Sequence, residues 1–192
     1  LLDLAREGYA VEPVTDLGRT LSKSYLTWSL SAYRNALDQH PEGLRVDLQR
    51  AWGDPDNDPA VVDGGFHFAA IRSGEAVIAL QPERGLRESR DDDYHDLARV
   101  PRHAYVAFYL WLRAHGFSAL IHIGAHGTLE WLPGKSVALS DTCWPQALLG
   151  DLPVLYPFIV NDPGEAAQAK RRLGAVTLGH MPPPMRDSAV PE

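Results

Sequence analysis

The spacing of apolar and polar residues predicts helices and a hairpin in the first two thirds of the chain. In residues 20–39, apolar side chains recur every three or four positions, which predicts a helix, and a second short helix is predicted at 44–52. Strand-like runs at 66–72 and 76–80 flank a turn, which indicates a β-hairpin. Residues 101–116 form a helical pattern that starts with a proline and is apolar on nearly every side, so we expect a buried helix.

Strand-like and helical patterns alternate in the last third. Residues 117–123 and 152–160 are apolar runs of strand length, and we expect the first to be a buried parallel strand. Residues 163–172 follow a complete helix N-cap motif and end in three basic residues, which predicts a helix with favourable charges at both ends. Residues 175–180 are a further predicted strand.

The alternation of strands and helices predicts an α/β fold. We expect a mixed or mostly parallel sheet flanked by helices, with the β-hairpin in the middle of the chain. We assign residues 1–60 to the helical N-terminal portion of a larger domain, and residues 61–192 to an α/β portion that carries the distinctive motifs.

Composition and charge exclude several classes of function. Hydrophobic residues make up 45% and charged residues 22% of the 192 residues, as in ordinary globular proteins. The net charge of −7 argues against a broad nucleic-acid interface, and no apolar run approaches the roughly 20 residues that cross a bilayer. One cysteine fits a reducing compartment. We therefore expect a cytoplasmic protein with neither nucleic acid nor a membrane as partner.

An acidic loop resembles the start of a calcium-binding loop. Asp54, Asp56 and Asp58 have the alternating spacing of such loops. The sixth position, however, is Pro59 where glycine is required, and the twelfth is Gly65 where a bidentate glutamate is required. These departures argue against calcium, and we expect the loop to be solvated.

The segment "HIGAHGTLEWLPGKS", residues 122–136, ends like a phosphate-binding loop. In that motif the first position is glycine, but here it is Leu129. Pro133 has no N–H to donate to a phosphate, and Glu130 would repel one. The sequence therefore excludes ATP binding through this loop.

The same segment has two histidines and a glutamate at four-residue spacing. His122, His126 and Glu130 would share a face of a helix, as in zinc hydrolases, but Gly124 and Gly127 disfavour a helix. We favour a strand followed by a loop, because ligand sites of α/β sheets lie beyond the carboxyl ends of strands. Imidazole and carboxylate groups there suit a divalent metal or proton abstraction. The alternative that these histidines only satisfy backbone groups stays open.

Several motifs carry a resemblance to a known family. "HIGAHGTLEWLPGK" resembles the signature of the large subunits of cobaltochelatase (CobN) and magnesium chelatase. The cobalt branch is indicated by Cys143-Trp144-Pro145, "PFIVNDPGE", "QPERG", "YHDLARVPRHAYVAFYLWL" and Ala51-Trp52-Gly53-Asp54-Pro55. The resemblance covers roughly residues 44–186. Two residues depart from the family pattern: Ala125, where a lysine is common, and Arg102, which interrupts the usual "VPPH".

The resemblance implies an internal fragment of a very large subunit, which we expect to be inactive alone. The whole subunit would bind the corrinoid hydrogenobyrinic acid a,c-diamide and insert Co²⁺, the substrate metal, during cobalamin biosynthesis. An AAA+ ATPase subunit and its co-subunit would hydrolyse ATP, with Mg²⁺ as a candidate companion of the nucleotide. Two alternatives stay open: insertion of Mg²⁺ into protoporphyrin, and a non-catalytic scaffold that docks the ATPase subunits.

The resemblance also implies roles for individual residues. Glu130 is expected to accept protons from the macrocycle and His126 to relay the metal, while His122, Glu130 and His95 complete the metal ligands. Substrate contacts are expected from the basic residues and from the start of the 163–172 helix: Lys135, Asn161, Glu165, Lys170, Arg171 and Arg172. For the last three basic residues, simple complementation of the helix dipole is the alternative.

Overall fold

The computed structural model describes residues 9–10, 22–23, 26–85, 96–124, 127–157 and 163–179. The helices in these ranges are α1 (Leu30–Leu37), α2 (Glu42–Trp52), α3 (His103–Ala114), α4 (Trp144–Leu149) and α5 (Pro163–Leu173). The strands are β1 (Tyr9–Ala10), β2 (Ser22–Lys23), β3 (Leu26–Ser29), β4 (Val61–Val62), β5 (Gly65–Phe68), β6 (Ala70–Ser73), β7 (Ala76–Ala79), β8 (Leu120–Ile121), β9 (Val154–Pro157) and β10 (Val176–Leu178). Within the described ranges, no helix has the length and apolar character needed to span a membrane.

The first half of the chain forms antiparallel pairs. Strands β1 and β2 pair with each other, and β3, β5 and β4 form a three-stranded sheet in that order. Strands β6 and β7 form the predicted hairpin, closed by a turn in which Gly74 has a φ of 59°. The strand-like run at 66–72 is interrupted at Ala69, so its first part joins the three-stranded sheet and its second part joins the hairpin.

The single helix predicted over residues 20–39 is wrong in its first half. Residues 26–29 form β3, and the helix starts at Leu30, where the Ser29 hydroxyl caps it by accepting from Ala32 N at 3.2 Å. Trp28 sits opposite Phe66 of β5 and is 8% exposed. An apolar spacing that fits a helix here also fits a strand, and pairing with the distant β5 decides between them.

Helix α3 lies at the centre of the core, as its apolar sequence predicted. Its residues from His103 to Leu112 are all buried. The ring of Phe108 meets Phe68 of β5 edge-on at 5.5 Å, and α3 also contacts α1 and α4. The helix begins later than predicted, at His103 instead of Pro101.

The buried histidine at the start of α3 has a structural role. The Nε2 atom of His103 lies 2.9 Å from the carbonyl oxygen of Gly53, and its Nδ1 atom lies 2.7 Å from the hydroxyl of Tyr33. Since a carbonyl only accepts, Nε2 carries the proton and Nδ1 accepts from Tyr33. Burial lowers the pKa of His103 and keeps the ring neutral, so it joins α3 to the end of α2.

The acidic loop at 53–59 is only partly solvated, and the prediction is wrong for Asp58. The Asp58 carboxylate is ion-paired with Arg102 at 2.5 Å. It also accepts the backbone N–H groups of Ala60, at 2.9 Å, and Ala104, at 3.2 Å, so it caps α3 from a distant loop. Arg102, which departs from the family pattern, therefore has a structural partner.

The last part of the chain forms the predicted parallel sheet. Its strand order is β10-β9-β8, with α4 between β8 and β9 in the chain and α5 between β9 and β10. Ile121, Leu155 and Val176 lie opposite one another across the three strands. The expected burial of strand 117–123 is wrong in this chain, because Ile121 is 60% and Ile123 is 81% exposed.

The α/β class is confirmed, with a parallel sheet, antiparallel pairs and a hairpin in the middle of the chain. Among the described residues the strands form four small sheets, and no single continuous sheet joins them. The division at residue 60 stays a prediction, and β3 and β5, which lie on either side of it, are hydrogen-bonded in one sheet.

Candidate functional site

The segment after β8 brings a histidine and a glutamate to one point. His122 N donates to Leu155 O at 2.9 Å and so extends the parallel pairing by one residue. Glu130 lies in a 3₁₀ turn, Leu129–Trp131. A Cβ placed on Gly127 would lie 2.8 Å from Glu130 Oε2 and 3.0 Å from His122 Nε2. Both side chains therefore converge beside Gly127, in a strand followed by a loop, and only a glycine fits between them.

The carboxyl group of Glu130 is almost completely removed from water. Its residue is 2% exposed, and Oε1 accepts the N–H of Gly127 at 3.1 Å. Burial raises the pKa of Glu130 to about 7. Backbone N–H groups and the charge of Arg172 oppose this rise, while the nearby carboxylate of Glu165 adds to it. Near neutral pH the group therefore exists in both protonation states, as a general base or acid requires.

A small cavity lies against these two side chains. It is lined by Tyr109, His122, Glu130, Tyr156 and four apolar residues, Leu120, Leu129, Val154 and Leu173. Its volume is about 10 Å³, which is close to the space that one water molecule needs. A macrocycle cannot enter such a cavity and must meet the site from outside it.

A hydrogen-bonded ring of polar side chains, in which Gln81 is half-buried and the others are buried, links the loop to α3. Thr128 Oγ1 accepts from Gln81 Nε2 at 2.5 Å and is hydrogen-bonded to the Tyr105 hydroxyl at 2.9 Å. The hydroxyl of Tyr109 donates to Gln81 Oε1 at 2.9 Å. Burial raises the pKa values of both tyrosines, so they stay neutral. The sequence-based prediction missed this ring, although Gln81 opens the "QPERG" motif.

The arginine of "QPERG", Arg84, donates hydrogen bonds to the backbone of the 96–99 segment and of the 3₁₀ turn. Arg84 is 4% exposed, and its Nη2 atom donates to Asp96 O at 2.6 Å and to Arg99 O at 3.0 Å. Its Nη1 atom donates to Trp131 O at 3.4 Å, next to Glu130. The motif therefore helps to hold the 3₁₀ turn in place.

Helix α5 holds the same turn from the other side. The guanidinium of Arg172 donates from Nη1 to Glu130 O at 2.6 Å and from Nε to Lys135 O at 3.1 Å. The carboxylate of Glu165 accepts from Trp131 Nε1 at 2.8 Å. Arg172 is 4% and Glu165 is 7% exposed, so both side chains face the loop and not the solvent.

The other predicted substrate contacts divide into two groups. Lys135, Lys170 and Arg171 are exposed, in positions where a ligand could reach them. Asn161 lies outside the described residues, as do two of the predicted metal ligands, His95 and His126. No group of three or more His, Cys, Asp or Glu side chains suited to a metal occurs among the residues that are described. The predicted ligand set of His122, His126, Glu130 and His95 stays a prediction.

The cysteine of the Cys-Trp-Pro motif lies at the end of the same loop. Its sulfur accepts the N–H groups of Lys135, at 3.4 Å, and Ser140, at 3.5 Å. Burial raises the pKa of Cys143, but these N–H groups, the Ser140 hydroxyl and the charge of Lys135 together lower it overall. A Cβ on Gly134 would lie 2.7 Å from Cys143 Cβ, so the loop packs closely against the start of α4. The motif has a structural role here.

Comparison with known proteins identifies the family. The family model described as CobN/Magnesium Chelatase matches residues 1–192. The chain belongs to the CobN/magnesium chelatase family. Among curated members of this chelatase family, the aerobic cobaltochelatase subunit CobN of Pseudomonas aeruginosa is 50% identical, over 82% of this chain and 13% of its own length. The CobN protein of a Sinorhizobium species is 42% identical, over 95% of this chain and 16% of its own length.

Magnesium-chelating members are also similar to the chain. A magnesium-chelatase subunit of Cereibacter sphaeroides is 32% identical, over 95% of this chain and 16% of its own length. A solved structure of the catalytic subunit of cobaltochelatase from Mycobacterium tuberculosis has a TM-score of 0.70 and 42% identity, over 83% of this chain and 14% of that chain. This chelatase-family chain thus spans about one sixth or less of the relatives named here.

Proposed function

We propose that the chain is part of the large subunit of an ATP-dependent cobaltochelatase, which inserts Co²⁺ into hydrogenobyrinic acid a,c-diamide during cobalamin biosynthesis. The observation that carries the proposal is the convergence of His122 and the buried Glu130 beside Gly127. The identity to cobaltochelatase subunits, 42% and 50%, is higher than that to magnesium-chelatase subunits, which ranges from 28% to 40%, and this supports cobalt as the metal.

The reaction requires the loss of a proton from a ring nitrogen as the metal binds. A carboxyl group with a pKa of about 7 is partly ionised near neutrality, so Glu130 accepts a ring proton and can release it again. His122, together with His126 and His95, would hold the Co²⁺ while it exchanges water for ring nitrogens. A corrin binds a metal as a monoanion, so each Co²⁺ inserted displaces one N–H proton, which the site must pass on to solvent.

Recognition of the macrocycle is assigned to groups on the surface of the site. The peripheral carboxylates of a corrinoid would meet the exposed cations of Lys135, Lys170 and Arg171. Asn161 and the start of α5 would add polar contacts. The walls that surround the rest of the ring would come from other parts of the large subunit, so the fragment alone should be inactive.

ATP hydrolysis is assigned to partner subunits. The loop that ends in Gly134 and Lys135 lacks the first glycine of a phosphate-binding loop and contains Pro133. We infer that an AAA+ ATPase subunit and its co-subunit bind the ATP, with Mg²⁺, and act on this subunit in the cytoplasm.

Replacing Glu130 by glutamine in the full-length subunit tests the role of the carboxyl group. Glutamine has the same shape but cannot accept a proton. We expect corrinoid binding, measured by absorbance titration, to stay within about twofold and Co²⁺ insertion to fall by about 100-fold or more. The control is Glu42→Gln, which changes an exposed glutamate on α2. A loss of binding that accounts for the whole loss of turnover would contradict the proton-accepting role.

The match to magnesium-chelatase subunits leaves a second candidate reaction, insertion of Mg²⁺ into protoporphyrin. The two are separated by offering each metal and each macrocycle to the same assembled complex. Turnover with Mg²⁺ and protoporphyrin, and none with Co²⁺ and the corrinoid, would assign the chain to the magnesium branch. If the chain were only a scaffold, His126→Ala would leave insertion unchanged with either pair.

A further inference from the structure

Two side chains of α5 reach the turn that carries Glu130. Glu165 and Arg172 are seven residues apart, which is two helical turns, so they lie on one face of the helix. Both are buried, and both bond to residues of the 130–135 loop at 3.1 Å or less. Neighbouring Lys170 and Arg171 are exposed, so the contact belongs to these two positions and not to the basic helix end as a whole.

Arg172 bridges the two ends of the loop. The carbonyl oxygens of Glu130 and Lys135 accept from one guanidinium, at 2.6 Å and 3.1 Å. A guanidinium is planar and presents its donors in a fixed fork, so two acceptors bound to it are held at a set separation. The backbone of Glu130 is thereby fixed relative to α5, and the donors that do this are not directed at a ligand.

Glu165 holds the residue next to Glu130. Its Oε2 atom accepts from the indole N–H of Trp131 at 2.8 Å, and Trp131 follows Glu130 in the same 3₁₀ turn. The turn is thus held through a backbone carbonyl, that of Glu130, and through a side chain, that of Trp131, so it has little freedom to rotate. The direction of the Glu130 side chain follows from that of the turn.

We propose that Arg172 and Glu165 are positioning residues for metal insertion: together they hold the 129–131 turn so that the Glu130 carboxyl group points at Gly127 and His122. The proposal rests on the proposed role of Glu130 as proton acceptor. A displacement of about 1 Å at a reacting group can lower a rate by about 100-fold, so loss of either contact reduces turnover more than substrate binding.

The first test is Arg172→Lys in the full-length subunit, assembled with its ATPase partners and assayed for Co²⁺ insertion into hydrogenobyrinic acid a,c-diamide. Lysine keeps the charge but cannot reproduce the two-pronged contact. We expect kcat to fall by about 10- to 100-fold, while the Kd for the corrinoid stays within about twofold. An unchanged Kd also shows that the variant is folded. The matched control is Arg113→Lys. The Arg113 guanidinium also donates to a backbone carbonyl, that of Ala147, at 2.8 Å, but this contact lies outside the site.

The second test separates the hydrogen bond of Glu165 from its charge. Glu165→Gln keeps an oxygen that can accept from Trp131, whereas Glu165→Ala removes it. At the pH optimum of each variant, we expect the glutamine variant to retain kcat within about threefold and the alanine variant to lose about tenfold, both with unchanged corrinoid affinity. Equal losses in the two variants would overturn the role assigned to the Trp131 contact.

Three outcomes for Arg172→Lys and Glu130→Gln separate this proposal from the one on which it rests. A corrinoid Kd that weakens as much as turnover falls would make Arg172 a substrate-binding residue. Full activity of Arg172→Lys beside an inactive Glu130→Gln would overturn the positioning role alone. Full activity of Glu130→Gln would overturn the proton-accepting role itself. Support requires that adding Arg172→Lys to Glu130→Gln lowers turnover no further, because the two residues act through one group.

Discussion

At the scale of single residues, the protonation of Glu130 governs what the site can do. Burial raises its pKa to about 7, and only the ionised form can accept a proton. We therefore expect kcat/KM for Co²⁺ insertion to rise with pH through an apparent pKa of about 7 and to level off above it. Rates measured from about pH 5.5 to 8.5, with ATP hydrolysis by the partner subunits followed in parallel as a control, test this.

The negative charge of Glu165 allows a second prediction about the same pH profile. The carboxylate of Glu165 raises the pKa of Glu130, so Glu165→Gln should move the acid limb of the profile to lower pH while the plateau is kept. An acid limb that stays in place or moves to higher pH would show that the observed ionisation belongs to another group.

The local conformation of the 122–131 segment was predicted correctly, because local rules apply there. Gly124 and Gly127 disfavoured a helix, and the position of His122 after a strand predicted that it lies beside the loop that carries Glu130. The contacts of Arg172 could not be predicted, because its acceptors are backbone carbonyls and these have no signature in the sequence. The spacing of residues in the sequence does not distinguish a buried basic residue at a helix end from an exposed one.

At the scale of elements, predicted boundaries are right where the signal is local. The proline, glutamate and basic residues of the 163–172 segment predicted α5, which spans Pro163–Leu173. The hairpin also depends on neighbouring residues and was predicted. Strand β3 was missed because its partner β5 lies far along the chain, and no local rule reports such pairing.

Asp58 makes the start of α3 depend on a loop more than forty residues earlier in the chain. Its carboxylate pairs with Arg102, whose side chain is 15% exposed, and accepts the N–H of Ala104. We expect Asp58→Asn to lower the free energy of unfolding by about 2–4 kcal/mol, because a charge-assisted cap is lost and a largely buried guanidinium loses its partner. Urea unfolding of the purified chain measures this.

The control for Asp58 is a pair with the same residue types on the surface. Asp47 and Arg50 lie 3.2 Å apart on α2, with side chains 48% and 75% exposed. Asp47→Asn should change the free energy of unfolding by less than about 0.5 kcal/mol. Similar effects of the two substitutions would show that Asp58 does not cap α3 in solution.

At the scale of the whole molecule, one face of the parallel sheet carries exposed apolar side chains that the described residues do not cover. Ile121, Leu155 and Val176 form a row across the strands, and Ile121 and Val176 are 60% and 57% exposed. Ile123 and Leu178 extend the same apolar surface, at 81% and 47% exposed. Parallel sheets are normally covered on both faces, and the chain spans only 13% to 16% of the cobaltochelatase subunits it resembles.

We therefore expect the rest of the large subunit to cover this face. Ile121→Cys offers a direct measurement, since the native Cys143 is buried and its peptide is distinct from the one that contains position 121. Maleimide labelling at position 121, read by peptide mass spectrometry, should be at least about tenfold slower in the full-length subunit than in the 192-residue chain. Val46→Cys, on the exposed side of α2, serves as the comparison position in both proteins. Equal labelling rates at position 121 in the two proteins would contradict this prediction, because the sheet face would then stay exposed in the subunit. The exposed apolar row would in that case point to an interface with a separate protein.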